Sequence, residues 1–237
     1  MTERRSRIDM GEQLGLFWPL LVAWLAAVAL LVVAGAQSSV PLENLFLDPA
    51  HLAGAPWYTG VISNLGILCW TAGAVTSAFG AWVASQTRRP SAARFLATGA
   101  LVGTVLLLDD LLQLHSGVLP GLVGVDKSVA LALVLAPLAA WVVVFRSEIA
   151  RTRWLMLGGF IAGSLASVAV DRLLDPSGAA GLLIEDGAKF LAVVAWATYF
   201  TATTLDIARS TITAAMSSQT SGVPTAVDRR EGDKLGA

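Results

Sequence analysis

Residues 93–115 read ARFLATGALVGTVLLLDDLLQLH. After Arg94 the run carries no charge until Asp109 and Asp110, and it closes on His115. A bilayer core of about 30 Å is crossed by roughly 20 apolar residues of helix, so this run is long enough to span it. Five further runs qualify, at residues 14–36, 59–85, 127–145, 153–175 and 181–207. Together they predict an all-α polytopic bundle of six transmembrane helices. Residues 1–13 then form an N-terminal segment, 14–208 the transmembrane domain, and 209–237 a disordered tail rich in Ser, Thr, Gly and charge. The Ala34-Gly35-Ala36 sequence also fits a signal-peptidase site, but the apolar run before it is longer than the 7–15 residues of a signal core.

Composition agrees. Of 237 residues 55% are hydrophobic and 14% charged, and the mean hydropathy is +0.68. Soluble domains carry about 25% charged residues, so most of this surface is not built for water. A net charge of −1 argues against a nucleic-acid partner, which needs a concentrated basic face. A single cysteine, Cys69, rules out an intrachain disulfide. Thirteen arginines against three lysines, with abundant Ala, Gly and Val, suit a GC-rich bacterial genome and hence a bacterial inner membrane.

Direction follows from the basic residues, which concentrate in cytoplasmic loops. Arg4, Arg5 and Arg7 precede the first run, and Arg88, Arg89 and Arg94 separate the second from the third. Arg146, Arg151 and Arg153 separate the fourth from the fifth, and Arg209, Arg229, Arg230 and Lys234 follow the sixth. The alternate loops hold only Lys127 and Arg172, each at an edge. Both termini are therefore expected in the cytoplasm.

With that direction, polar side chains collect in the outer half of the membrane. Asp109 and Asp110 lie there with His115, and Ser63-Asn64 opens the second run. Ser164, Ser167, Asp171 and Asp175 form one stripe on the fifth run, and Glu185, Asp186 and Lys189 open the sixth. Glu185 and Lys189, four apart, suit an ion pair along one helix. An ionised group near mid-membrane costs about 3 kcal/mol on insertion scales, so such residues mark a site unless they merely snorkel or pair. Adjacent acids on a helix project about 100° apart, so Asp109 and Asp110 need different partners.

The chemistry open to this set is carboxylate and imidazole chemistry. Asp109, Asp110, His115, Glu185 and Asp186 are candidate ligands for a divalent metal ion that would activate water against an ester, amide or phosphodiester. Asp109, Asp110, His115 and Lys189 are the candidate catalytic groups, and Ser63, Asn64 and Asp171 would orient a substrate. On this reading Asp110→Asn abolishes activity and leaves folding intact. The partners are the lipid bilayer and a lipid or small molecule arriving from the outer face. Loop 37–58 is a surface loop, with folding over the site as the alternative. Two other readings use the same residues: a proton- or cation-coupled transporter, and a scaffold whose polar cluster only specifies helix packing.

The segment Tyr58-Thr-Gly-Val-Ile-Ser63-Asn64-Leu is similar to the Ser-Asn segment opening an early helix in alkaline ceramidases and their relatives, the CREST superfamily of membrane hydrolases and receptors. The Asp and His content of residues 93–115 is loosely similar too. The resemblance implies a metal-dependent hydrolase, and covers only these two segments. That superfamily's zinc site takes a His-x-x-x-His from its last helix, where this chain has Glu185 and Lys189, and His51 and His115 are its only histidines. The chain also resembles uncharacterised bacterial membrane proteins with an Asp-Asp-x4-His span, which implies no activity. Glu185-Asp-Gly-Ala-Lys189 is loosely similar to the retinal-binding lysine segment of microbial rhodopsins, proteins of seven spans.

Overall fold

The computed structural model describes residues 10–173 and 179–220. All regular structure among them is helical. The chain divides into two compact units, residues 1–60 and 61–237.

The first unit holds α1 (Met10–Ala36), α2 (Glu43–Phe46) and α3 (Pro49–Leu52). Loop 37–58 is thus punctuated by two one-turn helices. Asp48 starts the second of them by accepting the backbone N–H groups of Ala50 (2.7 Å) and His51 (3.3 Å), with Pro49 in the first turn.

The second unit holds α4 (Val61–Gln86), α5 (Pro90–Leu112), a π-helical turn (Leu114–Val118), α6 (Leu119–Val123), α7 (Lys127–Val144), α8 (Arg146–Ile149), α9 (Trp154–Leu173) and α10 (Ala179–Thr220). Among the described residues, four helices are long and apolar enough to cross a membrane: α4, α5, α7 and Leu183–Ala214 within α10. Trp24–Ala36 in α1 and Trp154–Val170 in α9 are shorter apolar stretches. The chain is therefore a helical protein suited to a membrane.

Packing in this unit is inverted relative to a soluble domain. Buried positions on α4 are Gly66, Trp70, Gly73, Ala74, Ser77, Gly80, Ala81 and Ala84, all small except Trp70, while Leu68, Val75 and Phe79 point outward. Lipid drives no apolar burial, so small residues set the helix contacts and large ones meet the acyl chains. The glycines admit aromatic rings from α10. A Cβ on Gly73 would lie 2.9 Å from Trp196, and one on Gly99 2.7 Å from Phe200. Trp196 is fully buried, with Phe160 (4.8 Å), Trp70 (5.7 Å) and Trp141 (5.9 Å) around it.

The ends of the third and sixth runs differ from the sequence reading in ways that shape the structure. The third run ends at Leu112 rather than at His115, because Gln113 takes a left-handed conformation (φ 54°, ψ 46°) and donates its N–H to the Asp109 carbonyl. The last helix continues thirteen residues past Ile207, through 208–220, where the sequence suggested disorder. That stretch has no Gly or Pro, and Thr211 and Thr213 bond back to the carbonyls of Ile207 and Arg209 (both 3.0 Å). Residues 221–237 of the expected tail, and most of segment 1–13, lie outside the described residues.

Candidate functional site

The left-handed turn at Gln113 builds the site. It stops α5 three residues short of His115 and swings the chain into a π-helical turn, in which Gly117 and Val118 donate to the Gln113 carbonyl (2.8 and 3.1 Å). His115 thereby folds back onto the end of the helix it was expected to extend. Its backbone N–H donates to Asp109 Oδ1 (2.9 Å), and its Nδ1 lies 2.9 Å from Oδ1 and 2.8 Å from Oδ2 of the same carboxylate. An ionised carboxylate only accepts, so Nδ1 carries the hydrogen. Nε2 is then left with its lone pair, and no hydrogen bond to it is formed among the described residues. Asp109 is buried at 8% exposure, whereas the His115 side chain keeps 31% of its surface open. The imidazole is thus anchored from behind and accessible in front.

Asp110 turns to a different neighbour. Its Oδ1 accepts from Lys189 Nζ on α10, an ion pair spanning 79 positions of sequence. Its Oδ2 lies 4.0 Å from where a Cβ on Gly66 would sit, an ordinary contact distance, so α4 passes beside the carboxylate. The side chains of Asp110 and Lys189 are 15% and 50% exposed. The two adjacent acids therefore take separate cationic or proton-donating partners, as their 100° divergence requires. Each buried carboxylate is hydrogen-bonded, which lowers the cost of holding it in a helical bundle.

The other sequence candidates sit further out. Ser63 and Asn64 occupy the first turn of α4 and are exposed, with Ser63 one turn before Gly66. Glu185 is half-buried one turn before Lys189, and Asp186 is exposed. The side chain of Asp171, and Asp175 with it, lie outside the described residues. Among the described residues no three His, Cys, Asp or Glu side chains converge on one point as metal ligands would.

Sequence reasoning missed several contributors. Gln113 and Gly66 shape the site without carrying its chemistry, and nothing in their residue type marks them. It also passed over the arginine-rich end of the helices. Asp206, inside α10, is there held in a fork by Arg153 (2.9 and 3.3 Å). The Tyr199 and Thr152 hydroxyls share a hydrogen bond of 2.8 Å nearby. The signal was present, since Asp206 is an acid inside the sixth run, with no Asp, Glu, His, Lys or Arg between it and Lys189.

A family model described as a domain of unknown function (DUF8692) matches residues 21–203, and the chain belongs to that family. No curated protein and no solved structure matches it.

Proposed function

We propose that this DUF8692 member is an integral membrane protein with a one-sided acid–base site, in which Asp109 orients His115 to act on or bind a polar group arriving from the outer face. The observation that carries the reading is the paired contact of the His115 backbone and Nδ1 with one buried carboxylate. That arrangement selects a single tautomer and stabilises the imidazolium that forms when Nε2 takes a proton. Lys189, steadied by Asp110, supplies a positive charge on a neighbouring helix for an anionic headgroup or for charge developing in a reaction.

The proposed setting is a bacterial inner membrane, crossed six times with both termini in the cytoplasm. Its support is the alternation of basic loops, with α1 and α9 completing the set of spans. A hydrolase-like or ligand-binding role suits the cluster better than transport. Between Lys189 and Asp206, α10 carries no Asp, Glu, His or Lys to relay an ion, and its Trp196 packs against Trp70 and Phe160. The likeness of Ser63-Asn64 to alkaline ceramidases supports the hydrolytic form of the reading. A divalent ion would find Nε2 of His115 as its open imidazole donor.

The test is turnover in proteoliposomes of three fluorescent lipids, whose labile bond is an ester, an amide or a phosphodiester. Wild type is expected to cleave one of them, and His115→Asn to lower the rate about 10²–10⁴-fold, the range of a general base. Wild-type protein that cleaves none contradicts the hydrolytic reading. Elemental analysis of the same preparation, with Asp109→Asn/Asp110→Asn as control, decides the metal: a stoichiometric ion lost in the variant adds it to the centre.

A further inference from the structure

The segment between α5 and α7 decides what surrounds His115. At 23 and 18 residues those two helices are about 34 and 27 Å long, close to the thickness of a bilayer core. The chain that joins them therefore lies at the edge of that core. It holds no Asp, Glu, Lys or Arg from Leu111 to Val125. Charge returns only with Asp126, whose side chain caps α7, and with Lys127.

Helix runs unbroken through this segment from the π-helical turn into α6, and the whole of Leu114–Val123 is apolar. One side of it belongs to the bundle, because Leu119 packs against the buried core and Asp109 holds His115. The other side is open. Leu122 is 83% and Val123 66% exposed, so Leu122 is barer than Leu101 on α5 or Leu133 on α7. The exposed apolar surface continues into both neighbours, through Leu111 and Leu112 before it and Val129 and Leu133 after it.

In water such side chains would lose the apolar burial that the rest of this surface finds in lipid. A helix at the edge of the bilayer core recovers it by sinking its bare side into the boundary between headgroups and acyl chains. His115 begins this helix and Val123 ends it, about 12 Å further along its axis. The open face of the imidazole is thus held at the level of that boundary.

On the acid–base reading of His115, on which this rests, we propose that the ligand is an amphiphile of the outer leaflet. It reaches the ring sideways from the bilayer, past Leu122 and Val123, with its chains in lipid and its polar group at the imidazole. A water-soluble small molecule has no path of its own there.

The test uses the full-length protein with ¹⁵N-histidine in nanodiscs, the two ring signals being assigned with His51→Gln. One sample contains phosphatidylcholine with a nitroxide at the top of an acyl chain, and another a gadolinium chelate in the water. The lipid nitroxide is expected to relax the His115 ring more strongly than the chelate does. Leu122→Glu/Val123→Glu should shift that balance towards the chelate by lifting the segment out of the leaflet. Both side chains are exposed, and the unvaried chain alone already decides the question. Stronger or equal relaxation by the chelate overturns the proposal and assigns a ligand from water. Relaxation by neither probe overturns it too, and means that another part of the chain or a second copy covers the ring. The same spectra show which ring nitrogen carries hydrogen, so the acid–base reading stands or falls separately.

Discussion

Gly163→Val is expected to destabilise the protein by about 3 kcal/mol, the upper part of the range for overpacking a tight contact. A Cβ at residue 163 would lie 2.9 Å from the Ala188 carbonyl oxygen and 3.0 Å from the Ala192 Cβ. The first of these is backbone on α10, which no rotamer change can move. Gly159, one turn earlier on α9, provides the control. A Cβ there would rest 3.7 Å from Ala195, an ordinary contact, so Gly159→Ala should fall within about 0.5 kcal/mol of wild type. Both are measured by unfolding in mixed micelles of dodecyl maltoside and dodecyl sulfate. The close approach of α9 to α10 occurs one residue before Lys189, so the strained variant should disturb the Asp110–Lys189 pair as well. Equal midpoints for the two variants would mean that α9 does not approach α10 in this register.

Lys189→Met should cost about 2–3 kcal/mol, because it leaves the Asp110 carboxylate charged and without its cation. The figure lies below the 3–5 kcal/mol of a fully buried pair because half of the Lys189 side chain is exposed. Asp110→Asn should cost a similar amount by stranding the ammonium. Pairing the two, as Asp110→Asn/Lys189→Met, should restore most of the loss, since neither charge then remains. The same unfolding assay gives the coupling energy directly. Simple additivity of the two single variants would exclude the ion pair. From sequence alone Asp110 is a catalytic candidate whose Asn variant folds normally. The ion pair to α10 gives that variant a stability cost to be measured beside its activity.

Much of this was legible in the residues. Apolar runs of spanning length mark α4, α5, α7 and the first part of α10. The adjacent acids in an apolar run implied two different partners, and two are found. Gly163 was recognisable as a close-contact position from its spacing to Gly159. What stayed hidden depends on tertiary geometry. Glu185 lies in the favourable order four residues before Lys189, a local pairing rule, yet Lys189 bonds Asp110 across the helix interface. A glutamine in the left-handed region carries no sequence mark, because Asn and Gly are the residues that announce such a turn. His115 therefore looked like the last residue of a helix, when its role comes from folding back on Asp109. Gly73, Gly80, Gly99 and Gly103 are visible as small residues, but which ring fills each gap follows from the register of α10.

The most direct test of the account is the protonation pattern of one imidazole. With two histidines in the chain, ¹⁵N-histidine labelling in nanodiscs gives two sets of ring signals, and His51→Gln assigns them. The account predicts that the neutral His115 ring carries hydrogen on Nδ1 and a lone pair on Nε2, and that Asp109→Asn weakens this preference. A neutral His115 carrying its hydrogen on Nε2 would contradict the account, because Asp109 would then not be holding the ring and no base would face the site.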